Sequence, residues 1–237
     1  MADSTLDELR LNALLAALPE DELDRLRSLA VVVDVELRQE VHRRREPVTE
    51  VHFPLSSVYS MVALTEHDRV QVEVATIGYE GMVGLPLFLG ATASPNTVFA
   101  QVAGRAAVLP AADFRDFLAT DGALHGLLHR YTQTVLVQVS QNVVCNSTHS
   151  AEQRAARWML TTGDRVRRDA FPLTQDFLAQ MLGVRRQTVS ESARRLQADG
   201  LIHYSRGTVT ITDRPALQAA ACECYGIIRR EFDQVDG

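Results

Sequence analysis

Three groups of side chains in this sequence have types and spacings that can do chemistry. The run Arg185-Arg186-Gln187-Thr188-Val189-Ser190-Glu191-Ser192-Ala193-Arg194-Arg195 puts Val189 and Ala193 on one helical face. It leaves Arg186, Gln187, Ser190, Glu191 and Arg194 on the other. Those exposed types match the edges of the DNA major groove: Arg for guanine, Gln for adenine, Glu for the cytosine amino group. The second group comprises Cys145 with His149 and His125 with His129. Each pair is four residues apart, so both members share a helix face and can begin a metal site or pair a thiol with a base. The third is Cys222-x-Cys224, whose spacing fits neither the usual zinc nor the usual redox motifs. Neither His-containing pair has enough partners nearby in sequence for a tetrahedral set. Cys145, His149, His125 and His129 are therefore expected to be ordinary helix residues, with no metal site and no cofactor, and thiol oxidation at the cysteines is the weaker alternative. An enzyme with Cys145 as nucleophile and His149 as base is the rival class, and nothing in the sequence places an oxyanion hole beside them.

The first group needs a scaffold that presents it, and the flanking sequence supplies one. A helix-turn-helix requires a small residue in its first helix, a turn residue that accepts positive φ, and an apolar plug in its second helix. Ala179, Gly183 and Val189 stand at those positions, with Phe177, Leu178, Leu182, Val184 and Leu196 completing the apolar contacts. Ser192 sits where an aliphatic residue is more common, and Ala193 takes up part of that packing. The reading helix is expected from about Arg185 to Ala198. Thr174, Gln175, Arg185, Thr188 and Arg195 are placed for phosphates, which position the protein without specifying sequence. After Gly200, the alternating runs Leu201–Tyr204 and Thr208–Ile211 flank a tight turn, Ser205-Arg206-Gly207, and predict a two-stranded wing with Arg206 at its tip. Asp213 caps a final helix containing Leu217.

Upstream, the sequence predicts a helix over Leu6–Leu18 after an Asp3/Ser4 cap, then another near Glu20–Leu29. From Val31 to Leu109 it predicts short strands (Val31–Val35, Val51–Phe53, Val58–Leu64, Val70–Ile77 and Val98–Val108). Turn signals, His67-Asp68 among them, separate these strands, which is the pattern of an antiparallel barrel or roll. A short helix over Ala111–Ala119 precedes a long one from about Asp121 towards Thr148. On the long helix Leu124, Leu128, Tyr131 and Val135 form an apolar stripe, expected to meet a partner helix across a two-fold axis. Residues 150–171 read as one more helix, capped by Ser150 and ending near Gly163.

Composition is consistent with a soluble globular protein, and no apolar run is long enough to span a membrane. The N-terminus lacks a signal-peptide pattern and three cysteines are too few for a disulfide framework, so a cytoplasmic location is expected. All 24 basic residues are arginine, and the net charge of −6 divides into −8 for residues 1–150 and +2 for residues 151–237. An acidic first half and a mildly basic second half suit a regulator whose binding surface lies in the second. Arg43-Arg44-Arg45 reads as a solvated strand end.

Over essentially its whole length the sequence resembles the Crp/Fnr family of bacterial transcription regulators. The most specific stretch is Leu173 to Ile211, ending Arg195-Leu196-Gln197-Ala198-Asp199-Gly200-Leu201-Ile202. A second match, Gly81-Met82-Val83-Gly84-Leu85-Pro86-Leu87-Phe88-Leu89-Gly90, is similar to the phosphate-cassette region of the family's sensor roll. The resemblance implies an α+β chain in three parts. Residues 1–120 form an antiparallel, cyclic-nucleotide-binding-like β-roll (a jelly roll), 121–149 a dimerisation helix, and 150–237 a winged helix-turn-helix. It also implies a homodimer on a near-palindromic stretch of double-stranded DNA, with half-sites about 34 Å apart, RNA polymerase as a further partner, and a small-molecule effector. Members that bind cyclic AMP carry Gly-Glu-Leu in the cassette and an arginine before Ser/Thr-Ala. Here Gly84 is followed by Leu85-Pro86, and Asn96-Thr97-Val98 falls where that arginine belongs. Gly84, Leu85, Asn96 and Thr97 are thus the expected effector pocket, and cyclic AMP is not its expected ligand. Residues 1–40 also lack the cysteines of an Fnr-type iron–sulfur sensor. A ligand-binding or interaction module without DNA binding is the other alternative.

Overall fold

The computed structural model describes residues 7–64, 71–120 and 122–234. The Asp3/Ser4 cap, Leu6, the His67-Asp68 turn, Val70 and Asp121 lie outside the described residues. The chain divides into two compact units: residues 1–61, 77–135 and 232–237, and residues 62–76 with 136–231. Among the described residues no helix is long and apolar enough to cross a membrane.

The first unit begins with two short helices, α1 (Ala13–Ala16) and α2 (Glu20–Leu29). The single helix expected over Leu6–Leu18 is interrupted at Asn12. This fully buried side chain caps α1 by accepting from the Leu15 amide and donates to the carbonyls of Pro54 (3.0 Å) and Gly81 (2.9 Å). An amide able to satisfy three backbone groups at once outweighs one more helical turn.

The strands follow as β1 (Val31–Val35), β2 (Glu40–His42), β3 (Glu50–Pro54), β4 (Val58–Leu64), β5 (Gln71–Ile77), β6 (Thr97–Val102) and β7 (Gly104–Pro110). They form one sheet of order β1-β7-β3 and another of order β2-β6-β4-β5. In the first sheet β7 pairs antiparallel with both neighbours, Val31 opposite Val108 and Val51 opposite Leu109. Alternation along the strands sends Val35, Tyr59, Val98, Ala100, Ala106 and Val108 into a common core. A short helix α3 (Leu85–Phe88) follows Gly84, whose φ of 114° only glycine adopts without strain. Helix α4 (Ala111–Leu118) follows β7, and then comes the long α5 (Ala123–Thr148).

The second unit contains the distal part of the β4–β5 hairpin, which sequence reading assigned to the roll, and the second half of α5. It continues with α6 (Ala151–Val166), β8 (Ala170–Pro172), α7 (Gln175–Leu182), α8 (Arg186–Ala198), β9 (Ile202–Ser205), β10 (Thr208–Ile211), α9 (Arg214–Ala220) and α10 (Cys224–Phe232). Ser150 and Gln153 form a reciprocal capping box at the start of α6. The helix does not stop at Gly163 but runs on to Val166 and ends at Arg167 in the left-handed region. Gly163 instead admits close neighbours: a Cβ there would lie 3.2 Å from Ile211 and 3.0 Å from Arg214. The wing has three strands rather than two, in the order β8-β10-β9.

Candidate nucleic-acid interface

Helix α7 starts at Thr174, whose hydroxyl accepts from the Phe177 amide at 3.2 Å, and ends at Gly183 with φ 64° and ψ 35°. That left-handed residue turns the chain so that α8 begins three residues later. Ala179, Val189, Ala193 and Leu196 are buried where the two helices cross, as their sizes and spacing require. Ser192 is buried too, and its hydroxyl donates to the Thr188 carbonyl at 2.9 Å, which satisfies the one polar group on the packed face. From β5, Gln71 bonds to Gln180, and Val72 lies 3.2 Å from where a Cβ on Gly183 would stand.

The opposite face of α8 is open. Arg185, Arg186, Gln187, Glu191, Arg194 and Arg195 are exposed, and Thr188 and Ser190 partly so. Several of these side chains are held by light contacts. Arg186 pairs with Asp176 at 3.3 Å and Arg195 with Glu152 at 3.5 Å, while Gln187 donates to Glu191 at 3.1 Å. Ser190 donates to Gln175 at 2.6 Å, tying the start of α7 to α8. Exposed pairs of this kind are worth about 0–1 kcal/mol each, so a ligand displaces them at small cost.

The wing tip lies beside the start of α7. The Leu173 amide donates to the Gly207 carbonyl at 2.8 Å, and a Cβ on Gly207 would stand 3.8 Å from the Thr174 methyl. Arg206 and Gly207 both have positive φ, 48° and 77°, the conformation of a two-residue type I′ hairpin. Arginine is disfavoured there, yet Arg206 takes this conformation and is exposed at the tip. The structure thus brings Thr174, Gln175, Arg186 and Ser190 together, with the wing tip at Arg206-Gly207 beside Thr174.

The other expected sites are rearranged. Leu124, Leu128, Tyr131 and Val135, expected to face a partner helix, are buried within their own unit. Tyr131 donates to the Met82 carbonyl at 3.1 Å, and its ring occupies the space that a side chain at Gly81 would need. The large apolar residues that α5 does expose are Leu136 (57%), Val143 (64%) and Val144 (46%).

In the roll, a cavity of about 40 Å3 is lined by His42, Met82, Gly84, Leu85, Ser94 and Tyr131 among others. Gly84 and Leu85 therefore reach it. Asn96 and Thr97 do not, because Asn96 bonds through its backbone to Ser94, and the Thr97 hydroxyl accepts from the Arg44 amide. No arginine is among the lining residues, and burial holds the His42 imidazole below its ordinary pKa. His125 and His129 stack edge-on with each other and with Phe88.

Sequence reading missed one grouping. Cys145 and His149, at the end of α5, meet Cys222 and Cys224 with all four ligand atoms within 4.8 Å of one another. The i, i+4 spacing was the visible half of this signal. The other half is separated from it by the whole helix-turn-helix. All three thiols are buried, Cys145 and Cys224 completely.

Residues 153–220 match the family model of the Crp-like helix-turn-helix domain. No curated protein matches the chain significantly in sequence. Among solved structures, FixK2 from Bradyrhizobium japonicum is similar with a TM-score of 0.68 at 15% identity, over 81% of this chain and 98% of that one. The c-di-GMP-responsive regulator CLP from Xanthomonas campestris gives 0.64 at 16%, over 82% and 100%. A putative Crp/Fnr-family regulator from Eubacterium rectale gives 0.63 at 18%, over 86% and 95%. The chain therefore has the fold of the Crp/Fnr regulators and carries their Crp-like helix-turn-helix domain at residues 153–220.

Proposed function

We propose that this chain is a sequence-specific transcription regulator that binds double-stranded DNA as a homodimer in the cytoplasm, with α8 in the major groove. The observation that carries the reading is the open polar face of α8. Arg186, Gln187, Glu191 and Arg194 stand exposed on a helix fixed from behind by Ala179, Gly183 and Val189. Arg185, Arg195, Thr174 and Arg206 flank that face as phosphate contacts. Leu136 and Val143, seven residues apart on α5, supply the apolar seam for a second copy, taking the part first expected of Leu124, Leu128, Tyr131 and Val135.

Two features of the roll weigh against a cyclic nucleotide as its ligand. The cavity beside Gly84 and Leu85 is small, about 40 Å3, and a phosphate buried without a cation is strongly disfavoured. Both features favour an effector other than cyclic AMP.

Selection of bound sequences from a random duplex pool tests the reading, with Arg186→Ala/Gln187→Ala as control. The expected result is a near-palindrome with half-sites about one helical turn apart, lost in the control. A folded dimer that enriches nothing at low salt would overturn it.

A further inference from the structure

The structure assigns a mononuclear zinc site to Cys145, His149, Cys222 and Cys224, a Cys3His set closing the last turn of α5 onto the α9–α10 connection. This assignment stands apart from the DNA-binding reading. It rests first on distance. With Zn–S near 2.3 Å and Zn–N near 2.0 Å, a tetrahedral site has edges of about 3.8 Å between sulfurs and about 3.5 Å between sulfur and nitrogen. Here the Sγ atoms of Cys145 and Cys222 are 3.4 Å apart, and Cys224 Sγ lies 3.5 Å from His149 Nδ1. The widest separation in the set is 4.8 Å, so ion binding asks for a closure of about 1 Å. An iron–sulfur cluster would interpose several atoms and hold the sulfurs farther apart than this.

The surrounding groups are those a zinc site needs. Because Nδ1 faces the sulfurs, the other ring nitrogen, Nε2, is free to donate outward, and it meets the Glu223 carboxylate at 3.2 Å. This carboxylate–histidine arrangement fixes the tautomer that coordinates metal. Gln141 Nε2 donates to Cys224 Sγ at 3.1 Å. Arg157 is buried, and its Nε has no hydrogen-bond partner. Its positive charge bears on both Cys145 and Cys222. Zinc binding releases the thiol protons to solvent and leaves a centre of charge −1, which the Arg157 guanidinium offsets. A Cys145–Cys222 disulfide would need an oxidant, and it would account for only two of the four donors.

The test uses the full-length protein, purified in reductant, stripped of metal and titrated with Co(II) and then Zn(II). One Co(II) per chain is expected, with the intense d–d bands of tetrahedral geometry and a thiolate-to-cobalt charge-transfer band, both abolished by one equivalent of Zn(II). Cys224→Ser should lose the charge-transfer intensity and stoichiometric binding. A serine in the core can unfold the domain, so Glu223→Gln is the companion variant, its side chain being 70% exposed. It should keep one metal per chain while affinity falls about 10- to 100-fold. The assignment is overturned by any of four results from folded protein: an octahedral cobalt spectrum, binding well below one per chain, iron with acid-labile sulfide after anaerobic purification, or a Cys145–Cys222 disulfide that persists in reductant.

Discussion

The polar groups of the roll and those of the α8 face are satisfied in opposite ways. In the roll, His52 is buried between Tyr59 (3.1 Å from Nδ1) and Glu50 (2.9 Å from Nε2), and Ser60 donates to the buried Gln101 at 2.5 Å. Of these partners only Glu50 is partly exposed, and the rest are buried and not exchangeable. On α8 the partners are exposed carboxylates and amides at the ends of flexible side chains, which another ligand can replace. A surface built for exchange announces its chemistry in its residue types. A closed interior with a small apolar cavity announces only that it is packed. That is why the ligand class of the second unit can be read and that of the first cannot.

The sharpest way to break this comparison is to remove the exchangeable groups. Arg186→Ala/Gln187→Ala should weaken binding to the selected duplex about 100- to 10,000-fold at fixed salt, since each bidentate base contact contributes about 1–3 kcal/mol. Far-UV circular dichroism should be unchanged. An unchanged dissociation constant in a fluorescence titration would mean that the face is not a reading surface.

The roll should respond in stability instead. His52→Leu leaves the Tyr59 hydroxyl without its histidine partner in the core and should cost about 1–3 kcal/mol in chemical denaturation. Duplex affinity of the folded fraction should not change. A pH series sharpens the same point. Burial lowers the His42 pKa below its ordinary 6.5, although the Glu50 carbonyl opposes the shift. The unfolded chain therefore takes up the proton first. The stability that neutral His42 contributes is present above pH 6.5 and lost as pH falls towards the depressed folded value. His42→Gln should flatten that dependence, as followed by melting temperature between pH 7 and 5.

Two smaller effects test how loosely the reading face is held. Asp176→Asn frees Arg186 and removes a carboxylate from the phosphate side, so duplex affinity should rise by up to about fivefold, consistent with an exposed pair worth under about 1 kcal/mol. Ser192→Ala removes a hydroxyl bonded only to its own helix and should change stability by less than about 0.5 kcal/mol. A larger loss would mean that the hydroxyl carries more of the helix crossing than its one bond indicates.

What was legible in the sequence was whatever is decided locally. The turn at Gly183 needs positive φ within a fixed spacing from Ala179 and Val189, so three residues disclose the motif. The same locality misled elsewhere. Gly163 looks like a helix stop, yet its missing side chain makes room for Ile211 and Arg214, which are distant in sequence. The stripe Leu124–Val135 shows that a face must be buried but not against what, and the roll claimed it before a partner could. Strand β8 is three residues long and exists through its pairing with β10. The Cys/His grouping was invisible for the same reason, since half of it lies 77 residues from the rest.

That separation has a consequence in polymer terms. Cys145 and Cys222 bracket α6, α7, α8, the wing and α9, so any bond across their 3.4 Å gap makes this stretch of chain a closed ring. Closing a loop of about 77 residues removes roughly 4–5 kcal/mol of entropy from the unfolded chain in the loop-closure model, a sizeable share of a typical domain's 5–15 kcal/mol. The helix proposed to read DNA lies inside that ring, so a metal bond across the gap would tie its survival on heating to sulfur chemistry outside the proposed reading face.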